Sequence, residues 1–217
     1  MYYNPMSSAQ SVTPLMVSDG RQVIFGYSAV ADEALLLTNN GEARAQPVPA
    51  KVAQLWEPTV RDTEVRVLEL YDYRGNTVGL GIKFSSPSEQ SDLLNGNYLV
   101  DSAWHLAVAR QGTLFVAQRE NHWEYLRDIV VPAHWSAADS WRGSWRGLLS
   151  DGPNALGTAR VFGGSGEYAG LKLEAVEYLN ASAYSATAGA VAADGELTID
   201  FPPAGEQLAS GTDGESD

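Results

Sequence analysis

The sequence predicts an all-β fold, either a sandwich or a closed barrel, and three observations carry that expectation. Short runs rich in Val, Leu, Ile, Tyr and Trp recur with the two-residue alternation of half-buried strands. Turn signals separate them, among them Asn39-Asn40-Gly41, Arg74-Gly75-Asn76 and Asp151-Gly152-Pro153-Asn154. Only residues 124–131 invite a helical reading, and that segment is short. Many short strands with turns between them indicate packed or closed β layers.

Taken in order, residues 1–22 form a mixed arm with Pro5 and Pro14, of the kind that is commonly mobile. A first strand is expected over 22–30 and a second over 34–38, turned by Asn39-Asn40-Gly41; Pro47 and Pro49 then mark a connector to Trp56. Strands follow over 65–71 and 78–84, with Arg74-Gly75-Asn76 between them, and a polar loop over 85–97. A long run from 98 to 110 breaks at Gln111-Gly112 and resumes over 113–123. Pro132 and the Ala/Ser-rich 136–140 interrupt the pattern, which returns weakly over 141–149. The last strands are expected to end at 179, to cover 181–192, and to cover 196–201 after Asp194-Gly195. Beyond Pro202-Pro203 the tail of Gly, Ser and acids reads as disordered. The expected organisation is an N-terminal extension, 1–58, serving as lid or extra strands, a β domain over 59–203, and an acidic tail, 204–217.

The stretch from Ala159 to Tyr178 organises the C-terminal half. Gly163-Gly164-Ser165-Gly166 gives the backbone access to positive φ and close approach. It lies between an apolar run and an alternating one, so it reads as a corner between two strands. A phosphate loop would close on Lys-Ser or Lys-Thr and open a helix, whereas Glu167-Tyr168 follow here. A dinucleotide fingerprint fails in the same way, for want of a helix.

Val161-Phe-Gly-Gly-Ser-Gly-Glu-Tyr-Ala-Gly170 resembles the Gly-Gly-Ser/Thr-Gly-x-Tyr/Phe-Ala-Gly motif of the allene oxide cyclase and dirigent barrel proteins. Val65-Arg-Val-Leu-Glu-Leu-Tyr-Asp-Tyr-Arg-Gly75 is similar to the opening strand of allene oxide cyclases, and Gly96-Asn-Tyr-Leu-Val-Asp-Ser102 to the Tyr-x-x-Asp-Ser segment of dirigent proteins. The resemblance covers residues 59–201. It implies a single antiparallel, calycin-like β-barrel and so selects barrel over sandwich.

Composition narrows function. A net charge of −13 argues against nucleic acid, whose binding rests on cations, and against anionic membranes. No apolar run approaches the roughly 18 residues of a membrane span, and no basic n-region precedes an apolar one, so the expected location is cytoplasmic. There is no cysteine, hence no thiolate nucleophile or cysteine-ligated metal. His105, His122 and His134 have no diagnostic spacing, so no metal site is expected. Ser165 lies in Gly164-Ser165-Gly166 without the strand-to-helix context of a hydrolase elbow.

An eight-stranded barrel holds one small ligand or is filled by side chains, so the candidate residues are those expected to face its lumen. On residues 99–110 one face reads Leu99, Asp101, Ala103, His105, Ala107 and Ala109. Its small residues, one acid and one histidine suit a cavity, and Asp101 falls on the dirigent-like segment. Gln118 and Glu120 share a face with Val116 and are expected inward, with Arg119 outward. The expected catalytic residues are Asp101, His105 and Gln118. Trp104, Glu120, Trp123, Trp141, Tyr178 and Tyr184 are the expected substrate contacts, the aromatics setting shape and the tyrosines donating hydrogen bonds.

The resemblance implies enclosure of a reactive, mostly apolar intermediate and steering of its ring closure without metal or organic cofactor, as in the bacterial spirotetronate cyclases of this barrel type. The leading expectation is a cofactor-independent pericyclase performing an intramolecular [4+2] cycloaddition on a polyketide-derived polyene. The alternatives are a carrier of a small apolar ligand and an acid-base isomerase or cyclase. A homodimer or homotrimer is expected by analogy.

Overall fold

A computed structural model describes residues 22–30, 64–72 and 74–201. Eight antiparallel strands close a barrel in the order β1 (Gln22–Ser28), β2 (Glu64–Tyr71), β3 (Thr77–Pro87), β4 (Leu99–Val108), β5 (Gly112–Asn121), β8 (Ala159–Gly166), β9 (Lys172–Ser185) and β10 (Gly189–Asp200), which returns to β1. Two strands lie off the ring: β6 (Ser140–Leu148) pairs with β9, and β7 (Ser150–Gly152) with β5. Among the described residues no helix is long and apolar enough to cross a membrane.

The first strand is part of the wall. β1 lies between β10 and β2 and pairs with β10 along its whole length, from Gln22↔Asp200 to Ser28↔Asp194. Of the two roles expected for the N-terminal extension, strand 22–28 takes that of barrel wall. The strand expected at 34–38, its Asn39-Asn40-Gly41 turn, Trp56 and the 204–217 tail lie outside the described residues.

Two expected turns are not turns. Residues 172–185 form one strand and 189–200 another, so the chain reverses between them at 186–188 and not at Asn180 or Asp194-Gly195. Asn180 pairs with Asp194 in register, and its Nδ2 donates to Asp194 Oδ2 at 3.1 Å. Gly195 is there for space: a Cβ would stand 1.9 Å from Tyr27 Cζ. The turn-like dipeptide is a seat for an aromatic ring.

The glycine corner lies a little later than expected: Gly163-Gly164-Ser165-Gly166 stay in β8, paired with β5 through an irregularity, and the chain reverses over 167–170. β8 and β9 meet around it, Gly163 N–H donates to Leu171 O at 2.8 Å, and a Cβ on Gly163 would collide with the Tyr168 carbonyl at 1.5 Å. Tyr168 is buried beside it, and burial pushes its phenol up to about 12. Toward this end the lumen is packed shut, chiefly by Leu68, Leu70, Leu106, Leu114, Leu197 and Ile199.

The other end is roofed by helix. Trp123–Tyr125, the π turn Leu126–Val130 and Val131–Trp135 run on as one helical segment, α1. It buries Ile129 and Ala133 completely, and Ile129 packs with Leu149, Leu179, Ala181 and Ala193. The short helical signal at 124–131 thus marks the cover of the barrel mouth.

Candidate functional site

Between the apolar plug and the helical roof the lumen carries charge. Lys83 of β3, Glu120 of β5 and Glu177 of β9 all project inward and are buried. Lys83 Nζ stands 2.7 Å from Glu177 Oε1 and 2.8 Å from Glu120 Oε1. Glu177 also accepts from the Tyr27 hydroxyl, the Gln118 amide and, at 3.3 Å, Trp104 Nε1. Glu120 accepts from the Ser102 hydroxyl and, at 3.0 Å, from Gln118 Nε2. Ser150 of β7 closes the network, donating to Gln118 Oε1 at 3.0 Å and accepting from Glu177 N–H at 2.8 Å. Buried charges are tolerated only when paired and hydrogen-bonded, and this cluster meets that condition.

Electrostatics fix its protonation. Burial works against the Lys83 ammonium, but Glu120 and Glu177 more than offset it and hold its pKa above the ordinary lysine value. Burial likewise opposes the Glu120 carboxylate, yet Lys83 and then His122 hold its pKa well below the usual carboxylate range. Burial and the adjacent Glu177 push the Tyr27 phenol well above its ordinary value, so it remains a donor.

Above this floor lies a cavity of about 180 Å³ lined by Tyr27, Arg66, Lys83, His122, Tyr125 and Leu149, with Leu179 and three alanines completing the wall. It is an apolar chamber with a polar floor and rim, the usual chemistry of a small-molecule site. Two of its groups stand out. His122 Nε2 is 2.7 Å from Glu120 Oε2; with the ionised Glu120 accepting, Nε2 is the donor, and the neutral form of the ring has its lone pair on Nδ1. Arg66 Nε and Nη2 are buried without a hydrogen-bond partner, and Glu64 Oε1, 3.5 Å from Nε, makes no hydrogen bond with it. Unmet guanidinium donors beside a cavity ask for an acceptor from a ligand. From the roof, burial and Tyr184 push the Tyr125 phenol above its ordinary value.

The expected lumen residues divide. Gln118 and Glu120 are in the lumen, as read, and Trp104 is there too, on the face of β4 opposite to the one read as lining the cavity. Asp101 and His105 are not: Asp101 is on the outer wall, its side chain 50% exposed with Oδ1 3.5 Å from Arg119 Nε. His105 is stacked on Phe115 outside, with ring centroids 4.8 Å apart. The reason is area. The opposite face of β4 carries Trp104, Leu106 and Val108, and burying those removes far more apolar surface than burying alanines. Trp123 lines a separate surface depression with Gly96 and Glu124. Tyr178 lies under the Arg146 guanidinium, 4.4 Å from its ring, away from the cavity lining. Trp141 and Tyr184 pair across β6 and β9 and pack against the Ile129 cluster, supporting the roof without lining the cavity.

Sequence reading missed Tyr27, Arg66, Lys83, His122 and Glu177. For two of them the signal was present in parity: Arg66 shares its strand face with Leu68 and Leu70, and Glu177 with Leu173, Ala175 and Leu179, whereas Lys83 lies on the glycine face of β3, opposite Val78, Leu80, Ile82 and Phe84. A charge on the apolar face of a strand points to a lumen group, whereas an acid among alanines points outward. Among the described residues no group of three or more His, Asp or Glu is placed to hold a metal ion. No family model matches the chain, and no curated protein matches it.

Proposed function

We propose that this barrel is a cofactor-independent isomerase or cyclase acting on a small, neutral, mostly apolar molecule that carries a carbonyl group. The observation that carries the reading is the pair of unpartnered Arg66 donors beside a cavity that also holds the His122–Glu120 pair. Arg66 Nε–H and Nη2–H bind the carbonyl oxygen. His122 Nδ1 removes a proton from the carbon next to that carbonyl, and Glu120 stabilises the imidazolium that results. The enolate charge rests on the oxygen held by Arg66. His122 then returns the proton at the far carbon of the conjugated system, giving an isomer of unchanged mass. Where an electrophilic carbonyl of the same molecule is within reach, the enolate carbon bonds to it, the ring closes, and the proton goes to the new alkoxide.

The charges support a substrate that is not anionic, because Arg66 and Lys83 are already matched by Glu120 and Glu177, with Glu64 3.5 Å from Arg66 besides. The cavity volume supports a small one: about 180 Å³ is less than the roughly 300–1,000 Å³ of drug-sized pockets. The resemblance of the 161–170 corner to cyclase and dirigent barrels favours the same class. A [4+2] cycloaddition with Arg66 polarising the dienophile is the second reading, favoured by the apolar wall of Leu149, Leu179 and the alanines. Native mass spectrometry and product analysis with carbonyl-bearing polyenes and small cyclic enones test the proposal. Binding that is lost in Arg66→Met, with conversion to an isomer, supports it. Binding without conversion makes the protein a carrier, and no binding overturns both readings.

A further inference from the structure

We infer that the substrate of this cavity is an α-hydroxy ketone, its carbonyl oxygen held by Arg66 and its hydroxyl oxygen by Lys83, and that the barrel exchanges the two groups. This rests on the proposed function and extends it to a second oxygen. Arg66 of β2 and Lys83 of β3 are direct cross-strand partners, and both stand on the cavity wall. Like charges directly opposite one another destabilise a sheet, so the pairing calls for a compensating use. Glu120 and Glu177 supply part of it: each takes one N–H of the Lys83 ammonium, which leaves one of its three donors without a protein acceptor among the described residues. The Trp104 ring, 5.0 Å from Nζ, attracts the charge through its face and offers no oxygen. Arg66 Nε and Nη2 are likewise without an acceptor. One wall of the cavity therefore presents unmet donors from two adjacent cations. A ligand with a single oxygen meets those of Arg66 alone. A ligand with two oxygens, on neighbouring carbons and on the same side, meets both.

Charge identifies the second oxygen. A carboxylate, or an acidic 1,3-diketone, would bring a negative charge to cations that Glu120 and Glu177 already match. A hydroxyl brings none. His122 Nδ1 removes the proton from the carbon that bears the hydroxyl, the electron pair of that C–H bond forms a C=C bond, and the carbonyl becomes an enolate oxygen. The resulting cis-enediolate has both oxygens in one plane, facing Arg66 and Lys83. Negative charge thus develops where two cations already stand, and the interaction is stronger than in the ground state. The hydroxyl proton passes to the neighbouring enolate oxygen. The oxygen it leaves becomes the new carbonyl, as the double bond takes the proton back from His122 at the other carbon. Carbonyl and hydroxyl have changed places, and the step balances without oxidant or reductant.

The test is ligand titration and proton NMR in D₂O of the full chain with 3-hydroxypentan-2-one. Two comparison ketones are run beside it: pentan-2-one, which lacks the second oxygen, and 3-methoxypentan-2-one, which keeps the oxygen and lacks its proton. The hydroxy and methoxy ketones are expected to bind at least about tenfold more tightly than pentan-2-one, as one added hydrogen bond to a charged donor implies. The hydroxy ketone is expected to become 2-hydroxypentan-3-one, with deuterium on the carbinol carbon. The methoxy ketone is expected to exchange the hydrogen beside its methoxy group without rearranging. In a chain carrying Lys83→Met, Glu120→Gln and Glu177→Gln together, with unchanged far-UV circular dichroism, the preference over pentan-2-one is expected to disappear. Equal binding of the hydroxy ketone and pentan-2-one, a preference that survives the triple variant, or exchange without isomerisation would overturn the inference. Pentan-2-one that binds and exchanges in those cases leaves the proposed function standing, whereas no binding of any of the three ketones overturns both.

Discussion

The ring of Tyr27 lies against the backbone of Gly195, so closely that a Cβ there would be 1.9 Å from Tyr27 Cζ. That contact lets the phenol reach across β10 to Glu177, so that one hydrogen bond ties β1 to β9. Gly195→Ala is therefore expected to displace Tyr27 and to lower stability by about 1–3 kcal/mol, the range for overpacking a core. Urea denaturation measures this. Tyr27→Phe, which keeps the ring and deletes the hydroxyl, is expected to cost less than Gly195→Ala.

Lys83 is the only cation bonded to both buried glutamates among the described residues. Lys83→Met leaves two uncompensated carboxylates and is expected to destabilise by about 3–5 kcal/mol, the range for breaking a buried ion pair from one side. Adding Glu120→Gln and Glu177→Gln to the same chain is expected to restore much of the loss, since desolvated charge and not lost packing is the cause. A thermodynamic cycle over these variants measures the coupling.

Stability should form a plateau in pH with two distinct edges. Glu120 titrates below its unfolded value, so its contribution is present above about pH 4.3 and is lost as pH falls. Lys83 and Tyr27 titrate above theirs, so their contribution is present below about pH 10 and is lost as pH rises. Urea midpoints across pH are expected to fall at both edges, and Glu120→Gln to flatten the acid edge and, by removing one of the two carboxylates that raise Lys83, to weaken the alkaline one as well.

Asp101 gives the converse test. It is half exposed on the outer wall and, among the described residues, its ion-pair partner is Arg119. Asp101→Asn is expected to change stability by less than about 0.5 kcal/mol and to leave ligand binding unchanged. A large loss of binding in this variant would return it to the lumen.

These outcomes trace how much the sequence disclosed. Strand periodicity, the 161–170 corner and the turn at 74–76 were legible because each is a local property, while the turn expected at 151–154 falls at 154–157, with Asp151 and Gly152 taken into β7. Gln118 and Glu120 were read inward because Val116 shares their parity. Asp101 and His105 were misplaced because the dirigent-like segment and the small residues around them outweighed Trp104, Leu106 and Val108 on the other face. Lys83 and Glu177 are 94 residues apart in the chain and meet only when the barrel closes. Tyr27 lies on a strand whose face cannot be chosen until β1 is known to join β10 to β2. The cavity is a property of closure, and closure is not local.

The most direct test of the central claim is deuterium exchange into cyclohex-3-enone and related small enolisable ketones in D₂O, followed by proton NMR with the full chain. The account predicts exchange next to the carbonyl faster than in buffer, together with migration of the double bond, and loss of both in Arg66→Met and His122→Phe. Exchange no faster than in buffer across these ketones, or exchange undiminished in both variants, would contradict it.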